Sequence, residues 1–230
     1  FWAGRAPPLE AHAKGPIVNP VEMSMKDLSS AIDRFRTITG YRPAFADEIV
    51  AEVVPTGRVV YVDNDPVVVE RGRRILADCP TAAVVEADIC DVDAVLNHPD
   101  TQRLIDFQRP VGLIGAAVLH FIADERDPWG VVARYVAAVP SGSCLALCAL
   151  TSDRQADGVM DRILKTLMFV RFHLRTEADM ARFFDGLEIV PPFPGAAPAV
   201  AHAGLWGAED PEAANDDGSH WFYAAVARKP

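Results

Sequence analysis

From Arg58 onward, short runs of β-branched apolar residues alternate with amphipathic stretches, the pattern of parallel strands joined by crossover helices. The runs predict strands over Arg58 to Asp63, Ala82 to Glu86, Pro110 to Leu119, Ser143 to Leu150, Leu187 to Val190 and Trp221 to Ala227. The third is apolar throughout, as a strand covered on both faces requires. Between the first two, Asp65 and Pro66 supply a helix cap and a first-turn proline, after which Val68, Ile75, Leu76 and Cys79 share a face until Pro80. Asp127 and Pro128 repeat that start, with Val131, Val132, Tyr135, Val136 and Val139 as the buried stripe. Further helices are expected over Asp91 to Phe107, Gln155 to Phe172 and Thr176 to Asp185. The stretch Pro191 to Ser219, rich in Pro, Ala and Gly and then acidic, is too long for a hairpin turn and predicts a functional rim or a mobile insertion.

Upstream, Asp27 to Thr37 and Phe45 to Val54 have helical periodicity, whereas Phe1 to Pro20 has none. No strand precedes Arg58, where a doubly wound sheet usually keeps its first strand and phosphate loop. The pattern divides the chain into an N-terminal helical cap, residues 1–46, and a Rossmann-like α/β domain, residues 47–230.

Composition narrows the function. At 230 residues, 50% hydrophobic and 23% charged, the chain is globular, and disorder and fibres are excluded. Its 22 basic and 32 acidic side chains give a net charge of −10, which makes nucleic acid an unfavourable partner. The longest apolar run, Val111 to Leu119, is half of what a bilayer demands, and Phe1 to Arg5 has no signal-peptide pattern, so a cytoplasmic, non-membrane protein is expected. Cys79, Cys90, Cys144 and Cys148 form no CxxC pair. On one strand Cys144 and Cys148 would lie about 13 Å apart, so all four read as reduced core residues.

The candidate chemistry gathers at predicted strand ends. Asp63 closes the first strand at the edge where open α/β sheets bind ligands, and a carboxylate there can accept from both hydroxyls of an adenosine ribose. Asp63 and Asp65 also suit plain turn and cap roles. Asp88 ends the next strand on the same edge and can accept from an adenine amino group, with Ile89 packing on the ring. His120 follows the most apolar strand and is the one candidate base. His12, His98, His173, His202 and His220 have no ligand spacing, so no metal is expected, and GxSxG, GxxxxGK and HExxH are absent. Trp2, Phe193, Trp206 and Trp221 suit either an aromatic pocket or core packing.

Taken together, Arg58-Val-Val-Tyr-Val-Asp-Asn-Asp-Pro-Val67, Ala87-Asp88-Ile89, Ala116-Ala-Val-Leu-His-Phe-Ile122 with Asp124 and Asp127-Pro128, and Ala181-Arg-Phe-Phe-Asp-Gly-Leu-Glu188 resemble a bacterial family of S-adenosylmethionine-dependent methyltransferases formerly described as a domain of unknown function. The resemblance covers about Asp47 to Pro230. It implies a Rossmann-like, doubly wound seven-stranded sheet, mostly parallel, with the strand Trp221 to Ala227 antiparallel. It also implies that Asp63, with Asn64 beside it, holds the cofactor ribose, that Asp88 and Ile89 meet the adenine end, and that Ala117 lines the cofactor site. The expected activity is methyl transfer from S-adenosylmethionine to a small molecule. Two other readings stand beside it: a non-catalytic binding protein of the same fold, and an NAD-dependent oxidoreductase, since an acid after the second strand also suits the NAD ribose. The sequence departs from the family at one place. The Asp-Ile-Gly-Thr-Gly-like strand and loop expected before Asp47 is absent, and Phe45-Ala46 runs straight into Asp47, so a segment is expected to be missing at this junction.

Overall fold

The computed structural model describes residues 57–153, 172–208, 210–215 and 219–230. The chain divides into two compact units, and apart from Gly57 these residues fall in the larger, Arg58–Arg162 with Val170–Pro230. Trp2, His12, the two N-terminal helices and nearly all of the helix expected over Gln155 to Phe172 lie outside the described residues.

The element order is strand β1 (Val59–Asp63), helix α1 (Pro66–Ile75), strand β2 (Ala82–Glu86), helices α2 (Val92–Leu96) and α3 (Pro99–Leu104), and strand β3 (Gly112–Ala116). Two 3-10 turns, Leu119–Phe121 and Asp124–Arg126, lead to helix α4 (Pro128–Ala138) and strand β4 (Cys144–Leu150). Helix α5 (Glu177–Ala181), short strands β5 (Glu188–Ile189) and β6 (Ala201–His202), helix α6 (Pro211–Ala214) and strand β7 (Phe222–Arg228) complete it. The fold is that of an α/β protein with parallel crossovers, and its C-terminal strand is antiparallel to β4.

The described strands fall into two sheets rather than one seven-stranded sheet. Among the described residues β1 and β2 pair in parallel as a two-stranded sheet, and a separate five-stranded sheet runs β3-β4-β7-β5 with β6 also on β7. Among the described residues no ladder joins β1 to β3, the place where a doubly wound sheet puts its first strand.

Nor is β3 covered on both faces. Leu113 is half-buried and Gly115 buried against Leu147, but Gly112, Ile114 and Ala116 face outward, with Ile114 80% exposed. The strand also stops short of Leu119, because Ala117 turns to φ +55° and the chain then coils into the first 3-10 turn. The helix expected over Asp91 to Phe107 breaks at Pro99, which has no N–H to continue it, and His98 caps the second piece. Pro191 to Ser219 is not wholly irregular, since it holds β6 and α6.

On α1, Val68 and Ile75 are exposed and the buried side is Val69. Gly72 follows on that side, so close to β2 that an added Cβ would meet Val84 at 2.8 Å. The helix therefore packs through its smallest residue. The stripe on α4 is as the sequence predicts, with Val131, Val132 and Val139 buried.

The main core lies on the five-stranded sheet. Leu145, Leu147 and Ala149 of β4 sit opposite Ala227, Ala225 and Tyr223 of β7, large against small, and Leu119, Ile122, Met180, Phe183 and Phe184 pack over them. Each such leucine or phenylalanine contributes roughly 2 kcal/mol by burial. Cys144, by contrast, is exposed rather than core, and the four cysteines are free thiols.

Candidate functional site

The first part of the site is the carboxyl edge of the two-stranded sheet. The Asp63 carboxylate accepts the Asp65 N–H at 2.8 Å through Oδ1, which fixes its rotamer, and its backbone carbonyl accepts from Ala87 N. Asp65 in turn caps α1 by accepting from Val67 N at 2.8 Å. Asp63 stands opposite Glu86 in the ladder, so Asp88, two residues further on, belongs to the same edge. Asn64 is exposed between the two acids of its own turn.

Asp88 is held from both sides. Its Oδ1 accepts Cys90 N–H at 2.9 Å and its Oδ2 accepts Arg126 Nη2 at 2.7 Å. The Cys90 N–H, aided by Arg126 and opposed by partial burial, keeps the carboxyl below its ordinary range. Ile89 packs partly buried against the core, and its carbonyl accepts the Tyr135 hydroxyl at 2.9 Å. Burial and the nearby Cys90, Asp88 and Asp91 push that hydroxyl up, so Tyr135 stays a neutral donor.

The second part lies beyond β3. Ala117 holds a left-handed backbone, a conformation that costs a side-chain-bearing residue about 1 kcal/mol, and its N–H donates to the Cys148 carbonyl at 2.8 Å. Such strain persists where the surroundings impose it, often beside a ligand. His120 is buried, with 3% of its surface exposed, in the turn that follows. Its Nδ1 accepts Leu150 N–H at 3.3 Å, which assigns the ring proton to Nε2. Desolvation, and secondarily the Arg175 charge, lower its pKa to about 4. Phe172 stacks on the ring at 5.4 Å and Phe121 tilts against it at 4.6 Å.

Two arginines complete the geometry, and no local sequence pattern points to either. Arg175, 2% exposed, donates Nη1 to the carbonyls of Leu119 (2.7 Å) and His173 (3.2 Å), and Nη2 to the carbonyl of Ile122 (2.7 Å) and to Asp124 Oδ1 (2.7 Å). It thereby fixes both ends of the turn that carries His120. Its position just before the Thr176 cap reads as surface, because one arginine in a polar run carries no periodic signal of burial. Arg126 sits in the charged run Asp124 to Asp127, which reads as a solvated turn. Of the aromatic candidates, Trp206 is partly buried and packs against the core, and its indole donates to Ala224 O at 2.8 Å.

A family model described as S-adenosyl methyltransferase matches residues 42–230. The chain belongs to the S-adenosyl methyltransferase family. It is a methyltransferase by that membership, and its cofactor is S-adenosylmethionine. A DUF574 family protein from Streptomyces avermitilis MA-4680 is 37% identical, with a TM-score of 0.70 over 80% of this chain and 69% of that one. A protein from Thermobifida fusca YX carrying a provisional methyltransferase description is 34% identical, with a TM-score of 0.69 over 80% of this chain and 67% of that one. A chain from the Haloferax volcanii complex of the Trm112 methyltransferase activator, 15% identical at a TM-score of 0.52, covers 81% of this chain and 77% of its own and shares the fold alone. No protein of curated function matches. A second family model, di-haem cytochrome c peroxidase, matches residues 1–60. That stretch contains no cysteine, so a thioether-linked haem has no anchor in it.

The acidic edge fits the adenosine part of S-adenosylmethionine. Two carboxylates on adjacent strand ends each keep acceptor capacity beyond the hydrogen bonds that lock their rotamers.

Proposed function

We propose that this methyltransferase acts on a small molecule, with Asp63 and Asn64 at the cofactor ribose, Asp88 and Ile89 at the adenine end, and Ala117 beside the bound cofactor. The observation that carries this reading is the pair of rotamer-locked acids on neighbouring parallel strand ends. When bound, S-adenosylmethionine supplies an electrophilic methyl carbon on a sulfonium. The protein's work is then to orient cofactor and acceptor in line and to keep water from the path. An acceptor O–H or N–H must also lose its proton as the new bond to carbon forms.

His120 enters this reading as an orienting donor through Nε2–H. Its Nδ1 lone pair is taken by Leu150 N–H, and burial keeps the ring neutral, so a proton-accepting role would first require that bond to open. The net charge of −10 favours a neutral or cationic acceptor. Free thiols at all four cysteines and two bacterial relatives support a reducing, cytoplasmic setting in a bacterium. The match over residues 42–230 supports a methyltransferase domain over 47–230 and a separate N-terminal region before it.

One observation favours the non-catalytic reading as a second choice: no Gly-x-Gly occurs anywhere in the chain, so the usual close backbone approach to a cofactor is not encoded. Titration calorimetry with S-adenosylhomocysteine and, separately, with NAD tests the proposal. S-adenosylhomocysteine binding that weakens at least tenfold in Asp63→Ala is the expected result. NAD binding alone would overturn it.

A further inference from the structure

The turn that follows β2 is held from a distant part of the chain. Two side chains of the segment 126–135 reach it, Arg126 Nη2 to Asp88 Oδ2 at 2.7 Å and the Tyr135 hydroxyl to the Ile89 carbonyl at 2.9 Å, and a third, Arg134 Nη2, reaches Asp93 Oδ2 of the following helix α2 at 2.8 Å. The turn belongs to the two-stranded sheet and the reaching segment to the crossover between β3 and β4. These side chains link the two parts across the chain.

Arg126 and Asp88 are about half and two-fifths exposed, at 51% and 39%, and a pair that open to water adds little to folding. What the pair does is geometric. Cys90 N–H takes one carboxylate oxygen and Arg126 the other, so the Asp88 plane has a single orientation. An ionised carboxylate offers about four acceptor positions, and beyond the Cys90 N–H, the Cys90 thiol and Arg126 one remains for a ligand donor. Such an oxygen pair accepts from an amino group and repels a carbonyl.

We propose that Arg126 is a specificity-determining residue for the adenine end of the cofactor: by fixing the Asp88 carboxylate it makes that group select a 6-amino purine over a 6-oxo purine. The inference rests on the reading that Asp88 meets the adenine end. Tyr135, bonded to the next carbonyl, keeps the turn at the right height for that contact.

The test is calorimetric titration of the full chain with two probes, S-adenosylhomocysteine and its deaminated analogue S-inosylhomocysteine, on the native protein, Arg126→Ala and Arg126→Lys. The native protein should prefer the amino form by about a hundredfold, since a site built to accept an N–H rejects a ligand without one. In Arg126→Ala the preference should shrink about tenfold, mainly through weaker S-adenosylhomocysteine binding. The melting temperature should hold. Arg126→Lys keeps the charge without the planar fork and should fall between the two. An unchanged ratio in Arg126→Ala, or a ratio that grows, overturns the inference and leaves the cofactor reading intact. A native protein that binds neither probe removes the cofactor reading itself, and the inference with it.

Discussion

The two sheets of this protein are built to different standards. In the five-stranded sheet, leucines of β4 interlock with alanines of β7, Arg175 is sealed beneath the turn after β3, and His120 is kept neutral by burial. In the two-stranded sheet every residue of β1 is only half-buried, α1 exposes Val67, Val68 and Ile75, and the acids at the strand ends are held by short local hydrogen bonds. Stability therefore resides in one part, and the proposed cofactor contacts fall in the other. The lesson is that the acids of β1 and β2 need not be buried to be ordered: an Asx turn fixes a carboxylate and still leaves it open to a ligand.

That contrast can be broken by mutation, and the largest effect should come from Arg175. Arg175→Met takes one donor from each of the carbonyls of Leu119, Ile122 and His173, and urea unfolding should show a loss of about 3 kcal/mol. A loss below about 1 kcal/mol would mean that the buried guanidinium is not what orders this part.

The next effect is pH-dependent. His120 has a folded-state pKa lowered from 6.5 to about 4, so the unfolded chain binds the proton more readily. Its contribution is complete above pH 6.5 and is lost as pH falls toward 4, amounting to about 3 kcal/mol. Stability of His120→Gln, measured by denaturant melts at pH 7 and pH 4.5, should be markedly flatter over that window. A slope equal to that of the native protein would place the titration elsewhere.

On the two-stranded sheet the same measurements should move little. Asp65→Ala removes only the cap of α1 and should cost about 1 kcal/mol. The smallest effect expected is at Ala117, where glycine relieves the left-handed backbone and should stabilise by under about 1 kcal/mol, read as a small rise in melting temperature.

How much of this was legible in the sequence follows the same divide. The β1-α1-β2 unit shows itself through local signals: a β-branched run, an Asp-Pro cap and a second acid at the next strand end. Those signals also put Asp63 and Asp88 in the turns after β1 and β2, because turn chemistry is short-range. The finer placement of α1 was not visible, since Val68 and Ile75 satisfy helical periodicity while the close approach goes through Gly72. The end of β3 was overrun for a related reason. Val118 and Leu119 are as apolar as a strand requires, and only the backbone of Ala117 ends it. Arg175 and Arg126 act across 53 and 38 residues of sequence, to Ile122 and Asp88 respectively, and no local pattern encodes such a contact. The continuous sheet implied by the family resemblance is seen in two parts among the described residues, which leave β1 and β3 unjoined, and the sequence lacks the glycine loop expected before Asp47.

The central claim is that the carboxyl edge of the two-stranded sheet holds the cofactor. Its most direct test is S-adenosylhomocysteine titration of the native protein against Asp63→Ala, with the exposed Cys144→Ser of the other sheet as control. The native protein should bind, Asp63→Ala should bind at least tenfold more weakly at an unchanged melting temperature, and Cys144→Ser should not differ from the native protein. Equal affinity in the native protein and Asp63→Ala would contradict the claim.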